Sequence, residues 1–359
     1  MAKFKNLVFE GGGVWGIAYQ GVLSELEAQG AVNLNKLERV GGASAGAISA
    51  CLLAVGYKPD ELGDILAKTD FREFQDDSTG LVRDVSRLLN EYGWFKGDVF
   101  SKWLQKHIRT KIKALSTQAG IRKPVLRPNF RELKAWHRKL ARKGINLPAL
   151  YVVGSNLSKQ QREIYSAERK HTPDLKIDEA VRRSMSIPLF FACSRNKEKD
   201  VLVDGGVTWN YPVNIFDSKD YLSVKRNGKP ISYAHNDKHV FNSETLGFRL
   251  DTPSEIAAQQ GNWANVEKDI DNILDYAVSL VTFIRAIASK SHLHKNDFSR
   301  TVVVNIGDKI KFTDFKLTLA QQDFLVSAGE DGVKQYLKWY GSASGQRDLD
   351  RIYRDMAAG

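Results

Sequence analysis

The chain has 359 residues, of which 42% are hydrophobic, 26% are charged and two are cysteine, a composition that excludes both a disulfide-framework miniprotein and a largely disordered chain. No run reaches the ~18 uncharged apolar residues of a membrane span, and the start, Met1-Ala-Lys-Phe-Lys, lacks the apolar stretch and cleavage site of a secretory leader. The net charge of +11 is concentrated: Lys102 to Lys143 holds 14 Lys and Arg against one acid, Glu132, which leaves the remainder of the chain at −2.

Residues 4–9 predict a short buried strand, followed by the loop Gly11-Gly12-Gly13-Val14-Trp15-Gly16 and a helix carrying Tyr19, Val22, Leu23 and Leu26 to Gly30. By letters alone Gly11, Gly13 and Gly16 fit the dinucleotide pattern G-x-G-x-x-G. A nucleotide site also wants an acid at the end of the next strand to hold the ribose, and Glu38 precedes that strand instead. The loop suits an oxyanion hole better, with the backbone N–H groups of Gly12 and Gly13 directed at a carbonyl oxygen as it becomes negative.

The next strand runs into Gly42-Ala43-Ser44-Ala45-Gly46. This Gly-x-Ser-x-Gly spacing fits the sharp strand-to-helix turn that holds a serine nucleophile in a strained backbone. An almost wholly apolar helix follows from Ala47 to Val55, stopped by Gly56 and Pro59, and its N-terminus directs unpaired N–H groups and partial positive charge at Ser44. The plain alternative is that the small residues only allow close helix packing.

Residues 58–98 read as polar helices and loops, with Leu62, Ile65 and Leu66 on one face and an aromatic turn at 92–98. The basic segment 102–143 also carries Trp103, Leu104, Ile108, Ile112, Leu133, Trp136 and Leu140, so it is amphipathic as well as charged. Such a segment suits an anionic membrane surface or nucleic acid, or is a solvated helix face. No zinc-finger, RNP-like or helix-turn-helix pattern accompanies it, which sets nucleic acid aside. Strands are predicted at 149–157 and 162–166, a helix at 177–184 ahead of Ile187-Pro188, and a strand at 201–203 that delivers Asp204-Gly205-Gly206. An aspartate at a strand end, backed by two glycines, can approach a buried serine and act as its base; in isolation it is an ordinary Asp-Gly turn.

Residues 207–216 are predicted to continue as an extended segment. The apolar stretch 273–288, at 16 residues, is short for a span and suits a core helix or a homo-oligomer contact. A strand at 301–306 and helices of mixed charge complete the chain. Strands alternating with helices predict an α/β fold with a mostly parallel central sheet covered on both faces. Cys51 and Cys193 lie among apolar neighbours, as free thiols in a reducing compartment do.

Taken in order, Gly11-Gly12-Gly13-Val14-Trp15-Gly16, Gly42-Ala43-Ser44-Ala45-Gly46 and Asp204-Gly205-Gly206 resemble the three motifs of the patatin-like phospholipases. Ser184-Met-Ser-Ile-Pro188 and Asn210-Tyr-Pro212 sit where that family carries Ser-x-x-x-Pro and Asn-x-Pro. The resemblance covers residues 4 to 216. It implies a three-layer α/β/α patatin-like fold and a Ser44–Asp204 dyad, with Ala45 N–H joining Gly11, Gly12 and Gly13 at the oxyanion and no metal or cofactor. The substrates it implies are fatty-acyl esters of phospholipids or other lipids. On this basis residues 1–310 form the catalytic domain, with 102–143 inserted, and 311–359 a helical extension packed on it. The protein is then expected in the cytoplasm, peripherally bound to anionic membrane. Trp15 departs from the Arg or Lys usual in the family and removes a cation from beside the oxyanion loop. Two rivals stay open: a Ser-His-Asp esterase using His235, His239, His292 or His294, and a non-catalytic lipid- or nucleotide-binding module. Against the first, Ser44 follows the second predicted strand, whereas α/β-hydrolases reach their nucleophile later in the chain.

Overall fold

The structure is a computed structural model that describes residues 4–75, 88, 90–222, 230–232, 238–259, 270–271 and 273–349. The first apolar run forms strand β1 (Asn6–Phe9), and after the glycine loop come α1 (Ala18–Ala28), β2 (Arg39–Ala43), α2 (Ala45–Ala54) and α3 (Pro59–Ala67). The aromatic stretch read as a turn contains strand β3 (Gly93–Phe95). The basic segment folds as α4 (Asp98–Gln118) and α5 (Phe130–Ala141), the latter opened by a capping box between Asn129 and Glu132. Then follow β4 (Ala149–Asn156), β5 (Gln161–Tyr165), α6 (Ile177–Ser184), β6 (Leu189–Phe191), β7 (Ser194–Arg195), β8 (Val201–Asp204) and α7 (Gly206–Trp209). After these come β9 (Pro230–Ser232), β10 (Lys238–Val240), β11 (Thr245–Asp251), α8 (Pro253–Gln259), α9 (Ile273–His292), β12 (Thr301–Asn305) and α10 (Leu319–Gly341).

The central sheet has the order β12-β11-β1-β2-β4-β8-β7, with β5 also on β4. The pairs from β12 to β4 are all parallel, while β5 and β8 run antiparallel to β4. Helices cover the sheet in the three-layer α/β/α arrangement, and α10 packs on α1 so closely that a side chain at Gly21 or Gly329 would strike the opposing backbone.

Three local readings are corrected. Strand β11 was not foreseen, although it is buried along its whole length between β1 and β12; the charges that hide it, Arg249 and Asp251, pair with each other at 2.7 Å. Residues 207–216 are not extended: Trp209 N–H bonds back to the Gly205 carbonyl at 2.8 Å, forming the turn of α7, and a 3-10 turn occupies Val213–Phe216. The core expectation for 273–288 narrows to Val281, which alone among the described side chains of α9 is buried.

The apolar stripe of the basic segment faces inward. Leu104, Ile108, Ile112, Leu133, Trp136 and Leu140 are buried, and the indole N–H of Trp136 donates to Ser116 Oγ at 2.9 Å. What α4 and α5 present to solvent is their charge, including Lys102, Lys106, Arg109, Lys134, Arg138 and Lys139.

Candidate active site

Strand register brings the two expected dyad residues together. One edge of β4 carries β5 along residues 152–156, so β2, on residues 149–153, and β8, on 154–156, share the other edge. These two strands approach each other end to end: Ala43 stands beside Val153, and Asp204 beside Gly154, the next residue of β4. Ser44, one step past Ala43, and Asp204 line a single cavity with Gly13, Ile187, Asn210, Val281 and Phe312. Both are 4% exposed.

Ser44 has φ 52° and ψ −128°, a conformation that costs a non-glycine residue roughly 1–3 kcal/mol and marks a nucleophile turn. Its neighbours have to be small: a side chain on Gly46 would strike the Phe9 carbonyl, one on Gly42 the Gly46 carbonyl, and Gly16 lies against the Ala45 methyl. The turn is fixed from α6, where Ser184 Oγ accepts the Ser44 N–H at 2.9 Å and donates to the Val153 carbonyl at 2.6 Å. The Ser44 hydroxyl itself donates to Met185 Sδ at 3.6 Å, a weak acceptor that a modest side-chain rotation abandons.

Asp204 is held by two backbone bonds. Its N–H donates to the Ser186 carbonyl at 2.9 Å, and its Oδ1 accepts the Gly206 N–H at 2.6 Å. A side chain on Gly205 would meet the Val153 carbonyl, so the turn can lie flush on β4 only as glycine. The Ser-x-x-x-Pro stretch thus serves both partners, through the Ser184 hydroxyl to one and the Ser186 carbonyl to the other.

The glycine loop closes over this pair. A β-carbon on Gly11 would stand 2.9 Å from Ser44 Cβ, which measures how near the loop passes. Among the described residues none accepts a hydrogen bond from the N–H of Gly12, Gly13 or Ala45, so all three are open to an anionic oxygen. Asn210 clamps the loop: Gly11 N–H donates to the Asn210 carbonyl at 3.1 Å, and Asn210 Nδ2 donates to the Gly11 carbonyl at 3.1 Å and to Glu10 Oε1 at 2.8 Å. The other oxygen of buried Glu10 accepts the Leu250 N–H at 2.8 Å, anchoring the clamp to β11. Nothing in the sequence distinguishes Glu10 from a loop-entry residue until β11 is placed beside it.

Trp15 does not look into the site. It is 9% exposed, its indole N–H donates to the Ile310 carbonyl at 2.8 Å, and Val14 N–H donates to the Phe312 carbonyl at 3.0 Å. These bonds fasten the chain after β12 onto the oxyanion loop and set Phe312 into the cavity wall. Of the histidines considered as a base, His235 lies outside the described residues, as do the side chains of His239 and His292. His294 caps a 3-10 turn, its Nδ1 accepting from Asn296 N–H at 3.2 Å. No histidine is among the described residues of the cavity wall.

A strained serine at a strand-to-helix turn and an aspartate lining the same cavity, beneath a loop of open amides, are the arrangement that a serine hydrolase of carboxylic esters requires. The model of the family described as Patatin-like phospholipase matches residues 7–217, and the chain belongs to this family of lipid acyl hydrolases. It is 28% identical over 340 residues to the uncharacterized protein R571 of Acanthamoeba polyphaga mimivirus, covering 94% of each chain. It is 26% identical over 339 residues to the uncharacterized protein YqhO of Bacillus subtilis, covering 92% of this chain and 97% of that one. Among solved structures VipD from Legionella pneumophila is similar in fold, with a TM-score of 0.60 at 18% identity, over 94% of this chain and 67% of that one.

Proposed function

We propose that Ser44 and Asp204 carry out acyl transfer from phospholipid esters, as in a phospholipase A. Asp204 takes the Ser44 proton as Oγ attacks the ester carbonyl, and the N–H groups of Gly12, Gly13 and Ala45 hold the resulting oxyanion, each such donor being worth roughly 3 kcal/mol at the transition state. Collapse breaks the ester C–O bond, and the leaving alcohol takes the proton from Asp204. Water then attacks the acyl-serine, giving its proton to Asp204, and Ser44 departs reprotonated with release of the fatty acid. The observation that carries this reading is the end-to-end meeting of β2 and β8 on one edge of β4, beneath a loop of open amides.

A fluorophosphonate probe tests it. Ser44 should be labelled in the wild type, Ser44→Ala should lose label and phospholipid hydrolysis together, and Asp204→Asn should lose hydrolysis while its melting curve stays cooperative. Near-normal turnover in either variant would sink the dyad.

We further propose that the charged outer faces of α4 and α5 hold the protein on anionic membrane from the cytoplasmic side. Since the apolar stripe of these helices is buried, the contact made through them is electrostatic, on the order of 1 kcal/mol per basic residue close to the surface. The two unpaired cysteines support a reducing compartment. Binding to phosphatidylglycerol-containing vesicles should fall steeply with salt; binding indifferent to salt and lipid charge would overturn the proposal. As a working division, residues 1–310 are the catalytic unit and 311–359 an extension. Residues 350–359 lie outside the described part, and removal of 311–359 tests whether the Phe312 wall belongs to the catalytic unit.

A further inference from the structure

The cavity that holds Ser44 and Asp204 measures about 10 Å³, room for one water molecule, so an acyl chain cannot enter it as it stands. Part of its wall is Val281, from α9, a helix that lies against α7 and β6 next to the Asp204 turn and the Ile187 loop. The other side of α9 is an apolar face turned to solvent: Tyr276, Leu280, Phe283 and Ile287 are 49%, 38%, 64% and 53% exposed. Their spacing of four, three and four residues puts them in one stripe about 16 Å long, roughly 130° around the helix from Val281. An isolated exposed leucine needs no explanation, but four large apolar side chains aligned on one helix do.

We infer that this outer face of α9 is the surface by which the protein seats on a lipid aggregate, with the helix lying in the interface plane and its displacement opening the cavity to a lipid. The inference rests on the reading of the protein as a lipid acyl hydrolase and adds the element that admits the substrate. Three observations select lipid over a second copy of the chain. The same helix bears the stripe on one side and closes the catalytic cavity on the other, so whatever covers the stripe controls access for a substrate that resides in bilayers. Helix α9 itself carries Arg285 and Lys290 against a single acid, Asp275, so its charge does not oppose an anionic interface. No helix among the described residues is long and apolar enough to cross a membrane, so α9 can lie on a bilayer but does not span it.

The test uses full-length protein carrying Ser44→Ala, so that binding is read without turnover. Flotation with phosphatidylcholine vesicles containing phosphatidylglycerol should recover the parent, whereas Leu280→Glu/Phe283→Glu should bind about tenfold more weakly, since each substitution trades apolar burial in the interface for a carboxylate. In catalytically intact protein the ratio of vesicle hydrolysis to hydrolysis of a soluble short-chain ester should fall by a similar factor. Turnover of neither substrate by the wild type would count against the hydrolase reading and leave the flotation result to decide the surface. To guard against misfolding, an environment-sensitive fluorophore on Phe283→Cys, in a Cys193→Ser background, should shift to the blue with vesicles and be quenched by spin-labelled acyl chains. Unchanged flotation by the double variant, or a fluorophore that stays in water, overturns the inference. So does a dimer in sedimentation that Leu280→Glu/Phe283→Glu dissociates, which would assign the stripe to a second copy.

Discussion

Ser184 holds Ser44 by its amide, not by its hydroxyl: the Ser184 hydroxyl accepts Ser44 N–H at 2.9 Å and donates its own hydrogen bond to the Val153 carbonyl at 2.6 Å. Both serines are buried, so Ser184→Ala leaves a donor and an acceptor unpaired, at a cost of about 1–3 kcal/mol. The strained turn should relax and kcat should fall roughly 10- to 100-fold, in line with displacement of a reacting atom by about 1 Å. Steady-state kinetics and urea unfolding check this. A loss of stability with unchanged kcat would show that Ser184 supports the fold but does not aim the nucleophile.

Gly13 and Gly30 both have positive φ, 55° and 62°, but differ in what surrounds them. A β-carbon at Gly13 would run into the Phe312 carbonyl, while one at Gly30 meets nothing within 4 Å. Gly30→Ala should therefore cost only the backbone term, about 1–2 kcal/mol. Gly13→Ala should cost more than that and also move the amide offered to the oxyanion, lowering kcat/KM by about 100-fold or more. Equal effects of the two substitutions on activity would separate Gly13 from the oxyanion.

His137 gives stability a dependence on pH. Burial holds its imidazole down to about 4, opposed in part by its hydrogen bond to the Ala54 carbonyl at 2.8 Å, and burial also lowers His107 and His171. An unfolded histidine takes its proton near pH 6.5. Between these values the unfolded chain binds more protons, so stability rises with pH across that window and is lost on acidification, by at most about 1.4 kcal/mol per unit for one group. Urea midpoints measured through the window should show this slope, and His137→Gln should flatten it.

The local parts of the site could be read from the sequence because each motif is contiguous: Ser44 between glycines, the loop at 11–16 and Asp204 at a strand end. Their meeting could not, since it depends on β8 running antiparallel along the edge of β4 already occupied by β2. Strand β11 was missed because Arg249 and Asp251 interrupt its apolar pattern and neutralise each other only once the strand is folded. With it went Glu10, whose partners Asn210 and Leu250 lie 200 and 240 residues away in sequence. The basic segment showed its amphipathicity plainly, but composition could not say that the apolar side faces the core and not a bilayer.

Trp15 is where the chain departs from its family, and its contacts predict that restoring the usual cation will not improve the enzyme. The ring lies edge-on to Phe312 with centroids 5.9 Å apart, and its N–H satisfies the Ile310 carbonyl in a site only 9% exposed. Trp15→Phe keeps the ring contact and leaves that carbonyl unpaired, so it should lose about 1–3 kcal/mol by urea unfolding. Trp15→Arg places a guanidinium in that buried setting against the Phe312 ring, which costs more than the lost hydrogen bond alone. The Arg variant should therefore be the less stable of the two, and its turnover of vesicle substrate should drop as Phe312 loosens from the cavity wall. If Trp15→Arg instead matched the wild type in stability and exceeded it in turnover, the indole would be a substitute for a missing cation and not the fastening of residues 310–312 to the oxyanion loop.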